Sequence, residues 1–277
     1  MTSRVLAFAG NKQSGKSTCT NFIHGYQLRA QLVIDDFAIT KDGKLVIDTN
    51  MIGADGEEEK GMGVLDIHRS DLEFAEWAAY SMWPYVKSYS FAGPLKQICT
   101  GLFEMQENQA YGKDAEKNTN KALASQKAIK SLINKGTLKY HKPGRMSARE
   151  FLQFFGTDVC RKIYEDVWQS RLMKDIIAEE PLVAVIDDCR FPNEVRAVQE
   201  SGGKVIHVSE CALSSYENFD GVIDNQELSI AETNIEIIRM LTEWGWMGAE
   251  IKPEDLKGSP DEKPQLVGGI HKFHEEN

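Results

Sequence analysis

The chain has 277 residues, 42% hydrophobic and 27% charged, with a formal net charge of −10. It is long enough to bury a substantial core, and its acidic balance argues against a broad nucleic-acid-binding face, which needs clustered Lys and Arg. No apolar run has the length of a membrane span or of a signal-peptide core, and five scattered cysteines without C-x-x-C spacing fit reduced cytosolic thiols better than a disulfide frame or a zinc site.

Val5-Leu6-Ala7-Phe8 reads as a short buried strand, and apolar residues at helical spacing predict a helix from about Lys16. Between them, Gly10 to Ser17 has the pattern G-x-x-x-x-G-K-S, which in that setting is a phosphate-binding P-loop. The glycines let backbone N–H groups turn inward around phosphate oxygens, and the helix N-terminus adds its positive end. On this reading Lys16 lies in a solvent-facing cradle and reaches the β- and γ-phosphates of a nucleotide. The hydroxyl of Ser17 completes a Mg²⁺ shell.

Residues 31–40 and 44–48 are β-rich runs joined through Asp42-Gly43, a hairpin signal. Gly53 to Gly63, with four glycines and Glu57-Glu58-Glu59, reads as a mobile loop with solvated charges. Asp35, Asp36 and Asp48 lack metal-ligand spacing and read as exposed strand charges. Ser70-Asp71-Leu72-Glu73 has the spacing of a capping box and opens a helix over 72–83, which Pro84 ends. Val86 to Phe91 is a second core strand, and Gly93-Pro94 starts the next helix, Pro94 suiting its first turn. Lys96 therefore lies where a strand end meets a helix start, the edge of an open α/β sheet at which ligands collect. Residues 104–146 are polar and lysine-rich; they fit a helical lid over a site and a solvated helical insertion equally well.

Ser147-Ala148-Arg149-Glu150 is a second capping box, opening a helix over 148–155 that stops at Gly156. Arg149 and Gln153 share one face of it. The four surrounding apolar residues predict burial, where an arginine wants an anionic partner. Gly156-Thr157-Asp158 breaks the helix, and Thr157 or Asp158 caps a following one that carries Arg161, Trp168 and Arg171. Pro181 to Ile186 is the clearest buried strand. It ends in Asp187-Asp188-Cys189-Arg190, a strand-then-aspartate pattern that casts Asp188 as an anchor for Mg²⁺ or its water. A helix to Gly202, a strand over 204–208, a short strand at 222–223 and a helix over 230–244 follow. The tail after Gly248, rich in Pro, Gly, Lys and Glu, is expected to be loosely ordered. The alternation gives an α/β P-loop fold: a mostly parallel sheet flanked by helices, one domain over 1–248 and a tail over 249–277. No N-K-x-D stands where a GTP-dependent switch needs one, and spare basic residues (Lys12, Lys96, Arg149, Arg190) suit a second phosphate-bearing substrate.

Five islands occur in order: the P-loop, Phe91 to Lys96, Arg149-x3-Gln153-x2-Gly156-Thr157-Asp158, Trp168, and Asp188 to Glu194. Together they resemble the deoxynucleoside monophosphate kinases of tailed bacteriophages, over residues 1 to about 245. The resemblance implies a nucleoside-monophosphate-kinase-like fold, ATP as donor, deoxynucleoside monophosphates (dNMPs) as acceptors and a homodimer. It also implies a cytoplasmic location, that of the bacterial host for a viral chain. It puts ATP on Gly10, Lys12, Ser14, Gly15, Lys16, Ser17 and Thr18. The acceptor falls on Lys96, Gln97, Arg149, Gln153, Gly156, Thr157, Asp158, Trp168, Arg190 and Glu194. Lys16, Arg149 and Arg190 are the catalytic candidates, with Arg149 and Arg190 alternatively pairing with carboxylates such as Glu150 or Glu194. The chain departs from the pattern by a long insertion over 31–85 and by a loop after His207 without a basic or His-containing segment. No island lies in residues 31–63, so the hairpin is expected to be dispensable for ATP binding. Two other readings stay open: a P-loop kinase of another phosphorylated metabolite such as dephospho-coenzyme A, and a nucleotide-binding regulator that hydrolyses ATP slowly.

Overall fold

A computed structural model describes residues 3–52, 58–112, 114–118, 120–121, 146–209 and 218–246. They divide into two compact units, one drawn from Met1–Tyr89 and Ile176–Asn277, the other from Ser90–Asp175. The first unit begins with β1 (Arg4–Ala9), α1 (Lys16–Ala30), β2 (Phe37–Ile39), β3 (Leu45–Ile52), β4 (Glu58–Val64), α2 (Leu72–Ser81) and β5 (Val86–Tyr89). The second holds α3 (Gly93–Phe103), α4 (Glu107–Tyr111), α5 (Asp114–Lys117), β6 (Asn120–Lys121), β7 (Met146–Ser147), α6 (Ala148–Gln153), a π-helix (Phe154–Cys160) and α7 (Arg161–Ile163). Helix α8 (Val167–Glu179) leads back to β8 (Val183–Cys189), α9 (Pro192–Glu200), β9 (Lys204–Ser209), β10 (Gly221–Asp224) and α10 (Ile230–Glu243).

The first unit is built on a five-stranded sheet in the order β10-β9-β1-β8-β5, every neighbouring pair parallel. Its central strands are apolar almost throughout, as burial on both faces requires. Leu6, Phe8, Val185 and Ile206 pack with Phe22 and Leu28 of α1 and Ile237 of α10. His24 lies wholly inside this core. Its Nδ1 is 2.9 Å from Thr20 O, a pure acceptor, so Nδ1 carries the proton; Nε2 then accepts from Ser88 Oγ at 3.3 Å.

The hairpin is present but is no add-on. Ile39, Leu45, Ile67, Phe74 and Met82 belong to the same core cluster as the sheet. It also has a third strand: Glu58–Val64, expected as loop, pairs antiparallel with β3 from Ile52↔Glu58 to Val46↔Val64. Glycines and glutamates are poor strand formers, but a ready partner supplies the ladder, and charges are well placed on an edge. Helix α2 is capped by Asp71, whose carboxylate accepts from Phe74 N at 3.1 Å, rather than by Ser70.

In the second unit the capping box at Ser147 forms as expected, with Glu150 Oε2 accepting from Ser147 N at 2.7 Å. The helix does not stop at Gly156. It continues through Gly156-Thr157-Asp158 as a seven-residue π-helix, so neither Thr157 nor Asp158 opens a new helix. The aromatic side chains explain the continuity: Phe151 and Phe155 stack at 5.9 Å and both meet Phe103 edge-on. The expected lid residues 122–145, the tail and the loop after His207 (210–217) lie outside the described residues.

Candidate active site

Strand β1 delivers the chain into the P-loop at its C-terminal end. Gly10 has φ 147°, and a Cβ there would stand 2.0 Å from Val208 O, so no other residue fits between β1 and β9. Gly15, at φ 88°, turns the loop into α1. Lys16 is the first residue of that helix. It is 7% exposed, not solvent-facing: Nζ donates to Gly10 O at 3.1 Å and to Asn11 O. Burial lowers its pKa, the nearby Arg190 guanidinium lowers it further, and Asp187 and Asp188 oppose both. Lys12 and Ser17 are exposed and Thr18 is half-buried, while Ser14 is buried and within 3.4 Å of Lys16 Nζ.

Strand β8 runs three residues past its expected end, so Asp187 and Asp188 lie within it. Ala7 pairs with Ile186 but Ala9 with Cys189, which leaves one extra residue in β8 at the aspartates. A bulge of this kind re-aims side chains, and both aspartates are half-buried instead of alternating in and out. Arg190 follows, exposed. Glu194 is 2% exposed, and its Oε2 accepts from Arg190 N at 2.8 Å and Phe191 N at 3.1 Å. That carboxylate is thus the cap of α9, which fixes the backbone that presents Arg190.

The other acceptor-side candidates lie in the second unit. Lys96 is half-buried at the start of α3, its Nζ 5.0 Å from the Tyr111 ring centroid, and Gln97 beside it is exposed. Arg149, also half-buried, donates from Nε to Asn118 Oδ1 at 3.1 Å, and Gln153 and Thr157 are exposed on the turns after it. Asp158 is half-buried, 4.0 Å from Lys162. Gly156 is buried, and a Cβ there would meet Leu95 Cδ2 at 2.6 Å, so α3 and the π-helix touch at this point. Trp168 is 4% exposed and donates from Nε1 to Gly156 O at 3.1 Å. The same carbonyl accepts the π-type bond from Arg161 N. In this arrangement Trp168 braces the π-helix and does not offer an open stacking face.

Two neighbours of the P-loop escaped the sequence. Asn225, just after β10, donates from Nδ2 to Ser14 O at 3.1 Å. His207, on β9, stacks on Phe219 at 4.6 Å, and burial first and Lys16 second hold its pKa down. Both stand at carboxyl ends of parallel strands, a position that sequence reading flags as ligand-facing.

A sequence model of the family described as deoxynucleotide monophosphate kinase matches residues 95–240. The chain belongs to the deoxynucleotide monophosphate kinase family. A protein of Acanthamoeba polyphaga mimivirus, named provisionally as a deoxynucleotide monophosphate kinase, is 28% identical over 173 residues, covering 54% of this chain and 79% of the relative. The deoxynucleoside-5'-monophosphate kinase of Escherichia phage T5 is 40% identical over 57 residues, 20% of this chain and 23% of that protein. The family match takes in Lys96, Arg149, the π-helix, Asp188, Arg190 and Glu194, whereas the P-loop lies outside it. Among the described residues no helix is long and apolar enough to cross a membrane.

Proposed function

We propose that this member of the deoxynucleotide monophosphate kinase family transfers the γ-phosphoryl group of ATP to a deoxynucleoside 5'-monophosphate. The observation that carries the reading is the glycine-built cradle between β1 and α1, with Gly10 pressed on Val208 O and buried Lys16 as the first residue of the helix. A buried lysine at such a turn is matched by the phosphates of a nucleotide. An oxygen of the acceptor phosphate attacks the γ-phosphorus as the bond to the departing ADP oxygen breaks. That acceptor has a second pKa of ~6 and is largely ionised at neutral pH, so the reaction needs no strong protein base. Lys16 and Arg190 offset charge on the transferring group, while Arg149 and Lys96 hold the acceptor phosphate.

The donor set fits Mg²⁺, since the Ser17 hydroxyl and the Asp187 and Asp188 carboxylates are hard oxygen ligands. When bound, the ion would neutralise charge on the β- and γ-phosphates.

The test is a coupled ADP-release assay with Mg-ATP against deoxynucleoside and nucleoside monophosphates, dephospho-coenzyme A and no acceptor, in wild type and Lys16→Ala. The expected result is release that depends on a deoxynucleoside monophosphate and disappears in Lys16→Ala, with the variant still folded by circular dichroism. Turnover with dephospho-coenzyme A alone, or slow acceptor-independent hydrolysis, would replace this reading with one of the alternatives. Near-normal turnover in Lys16→Ala would remove the P-loop from the mechanism.

A further inference from the structure

The turn between β2 and β3, residues Thr40 to Lys44, packs on α1 immediately after the P-loop. Asn21 Nδ2 donates to Gly43 O at 2.8 Å. Gly43 is buried at φ +78°, and a Cβ on it would stand 2.3 Å from Thr18 Oγ1 and 3.3 Å from Thr18 Cβ. Two helical turns further along, a Cβ on Gly25 would stand 2.3 Å from Phe37 Cδ2 and 2.8 Å from Leu45 Cδ1. Helix and hairpin therefore approach as closely as glycine allows at both places.

The turn is also braced internally. Gly43 N donates to Thr40 O at 2.8 Å, Thr40 N to Lys44 O at 2.9 Å and Lys44 N to Thr40 Oγ1 at 3.0 Å. Behind it, Leu45 and Ile39 are anchored in the core. A turn held this firmly sets the position of a neighbouring side chain instead of yielding to it. The side chain it meets is Thr18, half-buried beside Ser17 in the cradle, with its hydroxyl against the Gly43 backbone.

We propose that the β2–β3 turn is a positioning element of the nucleotide site, in which Gly43 and Asn21 fix the Thr18 hydroxyl for a phosphate oxygen of the donor nucleotide. The proposal rests on the ATP reading above. It makes the 31–85 insertion a working part of the donor site, against the expectation that the hairpin is dispensable for ATP binding. Gly43 and Asn21 act through Thr18 and touch no reacting atom.

The experiment uses the full chain. Mg-ATP affinity is measured by calorimetry, and kcat and both KM values in the coupled assay, for wild type, Gly43→Ala, Asn21→Ala, Thr18→Ala and Thr18→Ala/Gly43→Ala. Gly43→Ala and Asn21→Ala should raise Kd and KM for ATP by about two- to tenfold, the weight of one hydrogen bond, with KM for the acceptor unchanged. In the Thr18→Ala background, Gly43→Ala should cost no further ATP affinity, because no hydroxyl is left for the turn to position. Variants that melt earlier but bind ATP as wild type does would overturn the proposal, as would an equal loss with and without the Thr18 hydroxyl. Asn21→Ala leaves the turn's backbone unaltered and keeps the test open where Gly43→Ala fails to fold. If wild type binds Mg-ATP and these variants match it, only the role of the turn falls; if wild type binds none, the ATP reading falls with it.

Discussion

The buried histidine of α1 gives the protein a defined acid limit. Burial drives the His24 pKa from 6.5 down to about 4, with the Thr20 carbonyl opposing and His68 adding to the shift. Above pH 6.5 the ring is neutral in both folded and unfolded chains, and pH has no leverage through it. Between 6.5 and about 4 the unfolded chain takes up a proton that the folded chain refuses, so stability falls with pH at about 1.4 kcal/mol per pH unit. The total is about 3 kcal/mol, levelling off below the folded pKa. That is a large share of the ~5–15 kcal/mol by which domains are stable. Urea unfolding of wild type and His24→Asn from about pH 7.5 to about pH 4 isolates the effect. Asparagine offers an N–H near the Nδ1 position and does not titrate. It leaves a gap that lowers stability equally at every pH, whereas carboxylate contributions are common to both proteins. The difference between the two curves should shrink by about 3 kcal/mol as the pH falls. Parallel curves would show that His24 does not carry the acid limit, and the burial argument would be refuted.

Arg149→Lys and Arg190→Lys should retain their melting temperature and ATP affinity but lose about 10²–10³ in kcat, since an ammonium does not reproduce a planar fork on phosphate. Steady-state kinetics beside thermal melts decide it, and an early melt with normal turnover would make that arginine structural. Trp168→Phe removes the donor to Gly156 O at the π-helix. It should cost about 1 kcal/mol, lowering Tm by roughly 2–4 °C. KM for the acceptor should rise while KM for ATP holds. An unchanged Tm would show that the indole hydrogen bond carries no weight.

Elements whose residues must be of one chemical kind were legible. The P-loop needs its glycines, lysine and serine at fixed spacing, and β1 and β8 need continuous apolar runs, so both stand within a few residues of their expected bounds. The capping box at Ser147 is of the same kind. What escaped is decided by partners distant in sequence. Strand β4 exists because β3 has a free edge, not because Glu58–Val64 favours extension. The π-helix shifts hydrogen bonding by one residue and leaves no mark in composition; the Phe103, Phe151 and Phe155 packing that accompanies it brings together residues far apart in sequence. The bulge at Asp187-Asp188 is a mismatch between two strands and has no signature in either alone. Asn225 meets the P-loop from the far end of the chain and belongs to no motif, and the Asp42-Gly43 signal marks a turn without saying that it packs on Thr18.

The order of the central sheet also sets a timetable. Strand β1 precedes both of its partners by a long stretch of chain: Arg4 pairs with Val183 and Leu6 with Lys204. A ribosome must go on to make β8 and β9 before the strand leading into the P-loop has a neighbour on either side. Helix α1 has company much sooner, because Phe37 and Leu45 of the hairpin lie only a short stretch beyond it. Nearby contacts close at less entropic cost than distant ones, so α1 and the hairpin should form the first island of structure, sheltering apolar surface while β1 waits. Pulse-labelled hydrogen exchange during refolding would show it, with α1 and β3 amides protected before those of β1; the reverse order would mean that the sheet assembles first and the hairpin docks on it.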